Sequence, residues 1–303
     1  MMDILARLRG DRTGEGVAAG GHAVSPNADA GRGRVIVVAN EKGGCGKSTI
    51  AMHLAVALAK QGGAVATLDL DVRQGSLTRY VANRRRYADI AGAPIVMPHH
   101  IDGEALSGLS PNGSDKAEER LAYVIDGSRA NVDYLIIDTP GSDTPLGRLA
   151  HRRADLIVTP VNDSFVDLDV IAQIDARRKT VIGPSAFSTL LLEDRQTRQE
   201  EGGQAAPWLV ARNRLGTLES HNARDVDWAL ALLERSLGLK VIPGFSERVI
   251  FRELFLVGLT ILDLKDAAGG QPLSRSHMAA REEVLALSEA ILANLPKRTQ
   301  PPK

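Results

Sequence analysis

The chain has 303 residues, 44% of them apolar, 24% charged and 4% aromatic, which supports a sizeable folded core and excludes an unfolded polar chain. Thirty-seven Lys and Arg balance 37 Asp and Glu, so a polyanion or a membrane must be held by a local patch and not by the field of the whole molecule. A lone cysteine, Cys45, excludes an internal disulfide framework, a cysteine-rich zinc site and iron–sulfur ligation. No apolar stretch approaches the roughly 18 residues of a membrane span, and Asp3, Arg7 and Arg9 stand where a signal peptide needs apolar residues. A cytoplasmic protein is expected.

Residues 11–33 are rich in Gly and Ala without apolar periodicity, and with the short segment before them they predict a flexible leader over 1–33. From Arg34 short apolar runs alternate with helical ones, the pattern of an α/β fold, doubly wound, with a mostly parallel sheet and helices on both faces. The expected strands are 35–39, 64–69, 94–97, 132–138, 155–159, 208–212 and 239–242. Helices are expected near 47–60, 76–90, 116–130, 164–178, 217–237 and 278–294. Residues 179–206 exceed the usual connection of about 2–6 residues and read as an insertion. One domain is expected over 34–296, followed by a polar tail at 297–303.

The strongest signal lies between the first strand and the first helix, in Asn40-Glu41-Lys42-Gly43-Gly44-Cys45-Gly46-Lys47-Ser48-Thr49. Without Cβ atoms, Gly43, Gly44 and Gly46 let backbone amides turn inward around phosphate oxygens, and the following helix presents its positive end to the same charge. Lys47 would neutralise the β- and γ-phosphates and the Ser48 hydroxyl would ligate Mg²⁺. The strict G-x-x-x-x-G-K-[ST] expression fails, because Glu41 stands at its first Gly, and Lys42 adds a second lysine. Cys45 occupies the variable position, where packing is its expected task. Asp138 closes an apolar strand, a position from which a carboxylate can hold the water shell of Mg²⁺. Asp69 and Asp71 are two residues apart, so an extended backbone puts them on one face; strand-end capping is the alternative for this pair.

The Lys-Gly-Gly-Cys-Gly-Lys-Ser form, the pair in Asp69-Leu70-Asp71 and the run Ile136-Ile137-Asp138-Thr139-Pro140 resemble the deviant Walker A ATPases, the MinD and ParA family. Stretches at 83–85, 149–151, 159–167, 212–215 and 248–255 resemble its MipZ branch. The resemblance implies a P-loop ATPase binding ATP and Mg²⁺ and hydrolysing ATP slowly in a homodimer. Lys42 would cross the dimer interface to the partner's nucleotide, Asp71 would orient the attacking water, and Asp138, Thr139 and Pro140 would form a second switch. The nucleotide contacts would be Gly43, Gly44, Cys45, Gly46, Lys47, Ser48 and Thr49, with Asn213, Pro243 and Gly244 at the adenine. Ser48, Asp69 and Asp138 are the expected metal residues, and Lys42, Lys47 and Asp71 the expected catalytic ones.

The implied partners are FtsZ, whose assembly such proteins inhibit to place the division plane, the centromere-binding protein ParB, and nonspecific chromosomal DNA at the nucleoid. A ParA-type chromosome or plasmid partition ATPase is the alternative. Arg212, Arg214, Arg224, Arg248 and Arg252 are candidate DNA contacts, although Asp225 and Asp227 interleave acids nearby, and a solvated salt-bridging role is the alternative for each. Arg84-Arg85-Arg86 reads equally as a solvated helix face. The carboxyl-terminal helix is acidic where a surface-seeking helix needs basic residues, so no membrane partner is expected; Val284, Leu287, Ile291 and Leu295 read as core. No G-x-S-x-G elbow or H-E-x-x-H helix occurs, and the scattered histidines read as structural.

Overall fold

The computed structural model describes residues 33–92, 95–103, 106, 114–175, 177–178, 180–214, 221–267 and 272–297. All but Gly33 of the expected leader and all but Lys297 of the expected tail lie outside the described residues. In chain order the elements are β1 (Arg34–Val38), α1 (Lys47–Lys60), β2 (Val65–Asp69), α2 (Ser76–Ala91), β3 (His99–Asp102), α3 (Ser114–Asn131), β4 (Tyr134–Asp138), α4 (Pro145–Arg153) and β5 (Leu156–Asn162). They continue with α5 (Phe165–Leu168), β6 (Ala172–Asp175), β7 (Thr180–Pro184), α6 (Ala186–Glu200), β8 (Trp208–Asn213), α7 (His221–Leu237), β9 (Lys240–Ile242), α8 (Val249–Val257), α9 (Leu264–Ala267) and α10 (Arg275–Asn294).

Seven strands form one parallel sheet in the order β3-β2-β4-β1-β5-β8-β9. The period of two in β1 decides which layer each residue serves. Ile36 and Val38 join Ile50 and Leu54 of α1, Tyr80 of α2, Phe251 of α8 and Leu287 of α10. Val35 and Val37 join Leu121 of α3, Leu149 of α4, Leu191 of α6 and Leu233 of α7 on the other face. Because both faces are covered, the central strands are apolar along most of their length. β1 sits between β4 and β5, so the chain leaves it in opposite directions and the loop after it opens at the carboxyl ends of the strands, where such sheets bind ligands.

Several expectations need correction. The third strand is His99–Asp102 and not 94–97; it is an edge strand held by pairing with β2, so its side chains are half-exposed and mostly polar, and residues 95–97 just before it have no regular structure, residue 94 lying outside the described residues. The helix expected at 164–178 is only the four residues of α5, after which β6 and β7 form an antiparallel hairpin. The Asp175 carboxylate closes its turn by accepting from the amides of Arg177 and Arg178. Residues 180–200 are accordingly strand and helix: Ser185 caps α6 by accepting from Ser188 N, and Phe187 and Leu191 seat the helix in the core. Helices α4 and α8 were not expected; α4 starts at Thr144, which accepts from Gly147 N, with Pro145 at the first helical position. Residues 217–220 of the expected 217–237 helix lie outside the described residues.

Arg84 is not on a solvated face. It is fully buried and donates to both carboxylate oxygens of Asp263, at 2.6 and 3.0 Å, to the Gly258 carbonyl at 3.1 Å and to the Val96 carbonyl at 2.8 Å. Burial alone would raise the Asp263 carboxyl, but the Arg84 guanidinium and the Thr260 donors hold it below its ordinary value. Gly258 makes this junction possible, because its φ of 74° suits glycine and a Cβ there would lie 2.0 Å from Arg84 N. Arg84→Ala should cost about 3–5 kcal/mol in urea unfolding, since it removes the bidentate partner of a buried carboxylate and leaves Asp263 with the Thr260 donors and Lys60 at 3.5 Å; a loss under about 1 kcal/mol would contradict this account.

His53, fully buried among Tyr80, Phe245 and Phe251, donates from Nδ1 to the Thr49 carbonyl and accepts at Nε2 from Ile261 N. Burial lowers its pKa from 6.5 to about 4. The unfolded chain therefore takes up a proton that the folded chain refuses, and stability should fall as pH drops from 6.5 towards 4, by up to about 1.4 kcal/mol per pH unit from this group. A smaller slope in His53→Gln, read from urea midpoints across that window, checks it.

Candidate nucleotide site

The loop between β1 and α1 is tied down from two neighbouring strands. Asn40 donates from Nδ2 to the Pro160 carbonyl of β5 at 2.6 Å and accepts at Oδ1 from Lys42 N at 2.7 Å. From β8, Asn213 Nδ2 donates to the Cys45 carbonyl at 2.6 Å, and Arg214, just beyond that strand, donates to the Gly44 carbonyl at 2.8 Å. Gly46 has a φ of 97°, and a Cβ there would lie 2.2 Å from Asn213 Nδ2. It also stands at the start of α1 with no side-chain cap, so the first-turn amides face the loop and remain available to an anion. Cys45 is buried, which raises its thiol pKa, and Sγ donates to the Lys42 carbonyl at 3.2 Å.

The two lysines diverge. Lys47 is buried and its Nζ donates to the Lys42 carbonyl at 3.1 Å, folding across the loop. Lys42 lies at the surface, its side chain 40% exposed, and is paired with Asp167 of α5. Gly43 is exposed beside it and Thr49 follows Ser48 on α1.

Asp69 and Asp138 end adjacent strands at paired register positions. Burial, then the neighbouring Asp69 charge, raises Asp138 to a pKa of about 7. One of its oxygens, Oδ2, accepts from Ser48 Oγ at 2.5 Å, whereas Oδ1 is buried without a partner. An orphaned carboxylate oxygen beside a hydroxyl, both at the mouth of the loop, fits a hard cation that prefers oxygen ligands. Ser48 and Asp138 therefore suit Mg²⁺.

Asp69 does not fit the metal role expected of it. Its Oδ1 accepts from Asp71 N at 3.0 Å, and its Oδ2 accepts from Thr78 N at 2.9 Å and Thr78 Oγ1 at 3.2 Å. Burial raises its pKa, opposed by those donors. Its carboxylate is thus committed to the loop that carries Asp71. Asp71 itself is partly exposed, its Oδ1 accepting from Gln74 N at 3.1 Å.

Thr139 is buried, its amide and hydroxyl both donating to the Val38 carbonyl, and Pro140 lines a crevice with Glu41, Arg148 and His151. Gly244 lies against β8, where a Cβ would be 1.8 Å from the Arg212 carbonyl oxygen, and Pro243 beside it is exposed. Asn213, Pro243 and Gly244 are thus brought to one side of the loop.

The candidate DNA arginines do not form one free patch. Arg212 is held between Asp163, at 2.7 Å, and Asp227; Arg248 donates to Glu283 at 2.7 Å and Ser276 at 3.0 Å. Arg252 is exposed and 3.4 Å from Glu247, and Arg214 is engaged on the loop. The Arg224 side chain lies outside the described residues. Sequence reasoning gave no role to Asp167, Asp163 or Asn40. Each has a partner 49 to 125 positions away, and the fold is what joins them.

A parallel sheet in this order, with a glycine-rich loop after its central strand and a serine and aspartate facing each other at its mouth, defines a P-loop ATPase of the MinD and ParA kind. The chain belongs to the MipZ ATPase family, whose model, described as "ATPase MipZ", matches residues 34–296. Chromosome partitioning protein ParA of Caulobacter vibrioides is 30% identical over 254 residues, covering 74% of this chain and 89% of the relative. Chromosome-partitioning ATPase Soj of Thermus thermophilus is 29% identical over 225 residues, covering 71% and 87%. Among solved structures, the ATP complex of a Cyanothece McdA variant superposes with a TM-score of 0.52 at 20% identity, over 80% of this chain and 99% of that one. The protein is accordingly an ATPase of the group that acts in partitioning or division-site positioning. No helix among the described residues is long and apolar enough to cross a membrane.

Gly46→Ala should weaken binding of a fluorescent ATP analogue by about 100-fold, through backbone strain and the clash with Asn213, with circular dichroism unchanged. Affinity within threefold of the parent would refute this geometry.

Proposed function

We propose that this ATPase is an ATP-dependent dimerising switch that positions the division plane by inhibiting FtsZ assembly, with its dimer coupled to chromosomal DNA and ParB at the nucleoid. The observation that carries the reading is the divergence of the two lysines. Lys47 serves its own loop, whereas Lys42 is half-exposed, outside that cradle and paired with Asp167. A cation in that place is suited to a nucleotide on a second copy of the chain.

On this reading the loop amides and Lys47 hold the β- and γ-phosphates, Asn213, Pro243 and Gly244 line the adenine, and Asp71 orients the attacking water. Ser48 and Asp138 would hold Mg²⁺, which would supply neutralisation of the phosphate charge. Phosphoryl transfer is accelerated mainly by positioned charge, and a cation delivered from outside is worth about 10³–10⁵ in rate. Since Lys42 reaches nucleotide only across a dimer, turnover waits for dimerisation, and the lifetime of the ATP form becomes the signal. DNA binding is weak per copy, because Arg212 and Arg248 are neutralised, and is gained by doubling the remaining exposed charge.

Sedimentation velocity in ATP and ADP tests the core of the proposal. The parent protein should dimerise in ATP alone, Lys42→Ala should stay monomeric, and Asp71→Ala should stay dimeric and keep its ATP. Asp167→Asn, which frees Lys42, should dimerise at lower ATP. Dimerisation of Lys42→Ala at parental ATP concentrations would refute the reading. FtsZ pelleting separates it from a ParA-type partition ATPase: ATP-dependent loss of polymer is expected, and unchanged polymer would favour partitioning.

A further inference from the structure

The carboxylate of Asp69 anchors the Asp71 loop, and what lies behind Asp69 is a chain of polar groups with a determined direction. Thr78 Oγ1, on the first turn of α2, lies 3.2 Å from Asp69 Oδ2, and His100 Nε2 of β3 lies 3.1 Å from that same hydroxyl. On the other side of the ring, His100 Nδ1 is 2.9 Å from Thr67 Oγ1 of β2. A carboxylate only accepts, so the Thr78 hydroxyl spends its one proton on Asp69. The Thr78 oxygen can then only accept from His100, which places the ring proton on Nε2. Nδ1 is left as an acceptor, and Thr67 donates to it.

Every member of this chain has one role that fits. Burial, assisted by the Arg85 charge, lowers the ring's pKa to about 4, so at neutral pH it is the uncharged form that the hydrogen bonds require. Gly75, which precedes α2, offers no side-chain cap, so Asp69, reaching over to Thr78 N and Oγ1, supplies the missing acceptor. The opposite oxygen of the same carboxylate fixes Asp71 N. The turn bearing Asp71 is thus hung on one carboxylate whose orientation depends on Thr78.

We propose that His100 is a positioning residue for ATP hydrolysis: by donating from Nε2 to Thr78 it orients the Asp69 carboxylate and through it the loop that presents Asp71. This rests on the assignment of Asp71 to the attacking water made above. On this reading His100 acts through Thr78 and Asp69. Its effect belongs to the geometry of the reacting state, and small misplacements there cost far more in turnover than in binding.

The test uses the full chain and two amides of different reach. In His100→Gln the side-chain NH2 can occupy the place of Nε2 and donate to Thr78, whereas His100→Asn carries its amide only as far as the Nδ1 side, facing Thr67. Steady-state ATPase of His100→Ala and His100→Asn should show kcat lowered by about 10–100-fold with KM within about twofold, and His100→Gln should recover most of kcat. Hydrogen–deuterium exchange over residues 70–78 of the nucleotide-free protein should accelerate in the first two variants and not in the third. Equal behaviour of the Asn and Gln variants, a change in KM alone, or unaltered exchange in His100→Ala would overturn the proposal. If the His100 variants do not fold, Thr78→Ser against Thr78→Val makes the same comparison from the other end of the bond. Asp71→Ala with parental turnover would sink the Asp71 assignment instead, and the exchange readout would still decide the role of His100.

Discussion

Two carboxylates at the ends of adjacent buried strands set the terms for this site. Asp69 and Asp138 face each other in register at the mouth of the loop, in a setting that disfavours two uncompensated negative charges. The sequence around each resolves the conflict differently. Asp69 is surrounded by three donors from its own loop and helix, which makes its charge structural. Asp138 receives one donor, Ser48, and keeps a bare oxygen. The asymmetry separates an anchored carboxylate from one that keeps an open oxygen, and it shows why an aspartate two residues from another cannot be assigned from spacing alone.

The same economy runs through the rest of the molecule. Equal numbers of acids and bases could be scattered as solvated surface, but many are used to tie functional loops to the sheet. Asp163 and Asp227 hold Arg212 beside Asn213, and Glu283 holds Arg248 and Ser246 beside the loop of Pro243 and Gly244. Buried Arg84 with Asp263 joins α2, which follows the Asp71 loop, to the segment after α8. The pairs join residues 15 to 179 positions apart, so each ties a connection to the body of the fold.

That is also the boundary of what could be read without the fold. The β1–loop–α1 unit was legible because its chemistry is local: an apolar run, three glycines in four positions, then Lys47 and Ser48. The buried strands were legible because both faces are covered and the apolar runs continuous. β3 was not, because an edge strand is held by backbone pairing and keeps half-polar side chains, so the apolar residues just before it were more conspicuous. The hairpin of β6 and β7 was hidden by its short strands, and α6 by a polar exposed face rich in Arg, Gln and Glu, whose buried anchors are Phe187 and Leu191. His100 could be read only as one scattered histidine, since Thr67 and Thr78 become its partners only when β2, β3 and α2 meet.

The contrast between Lys42 and Lys47 gives this arrangement a direction. Five residues apart in one glycine-rich loop, they have opposite surroundings: Lys47 is folded across its own cradle, and Lys42 is drawn off by Asp167 on the helix after β5. Asp167 is largely buried and Lys42 half-exposed, so their pair restrains the lysine in the single chain, and a denser negative charge would compete with Asp167 for it. A triphosphate presented by a second copy is such a charge. If Lys42 serves a nucleotide on a second copy, as proposed above, Asp167 would occupy it in the single chain until that anion arrives.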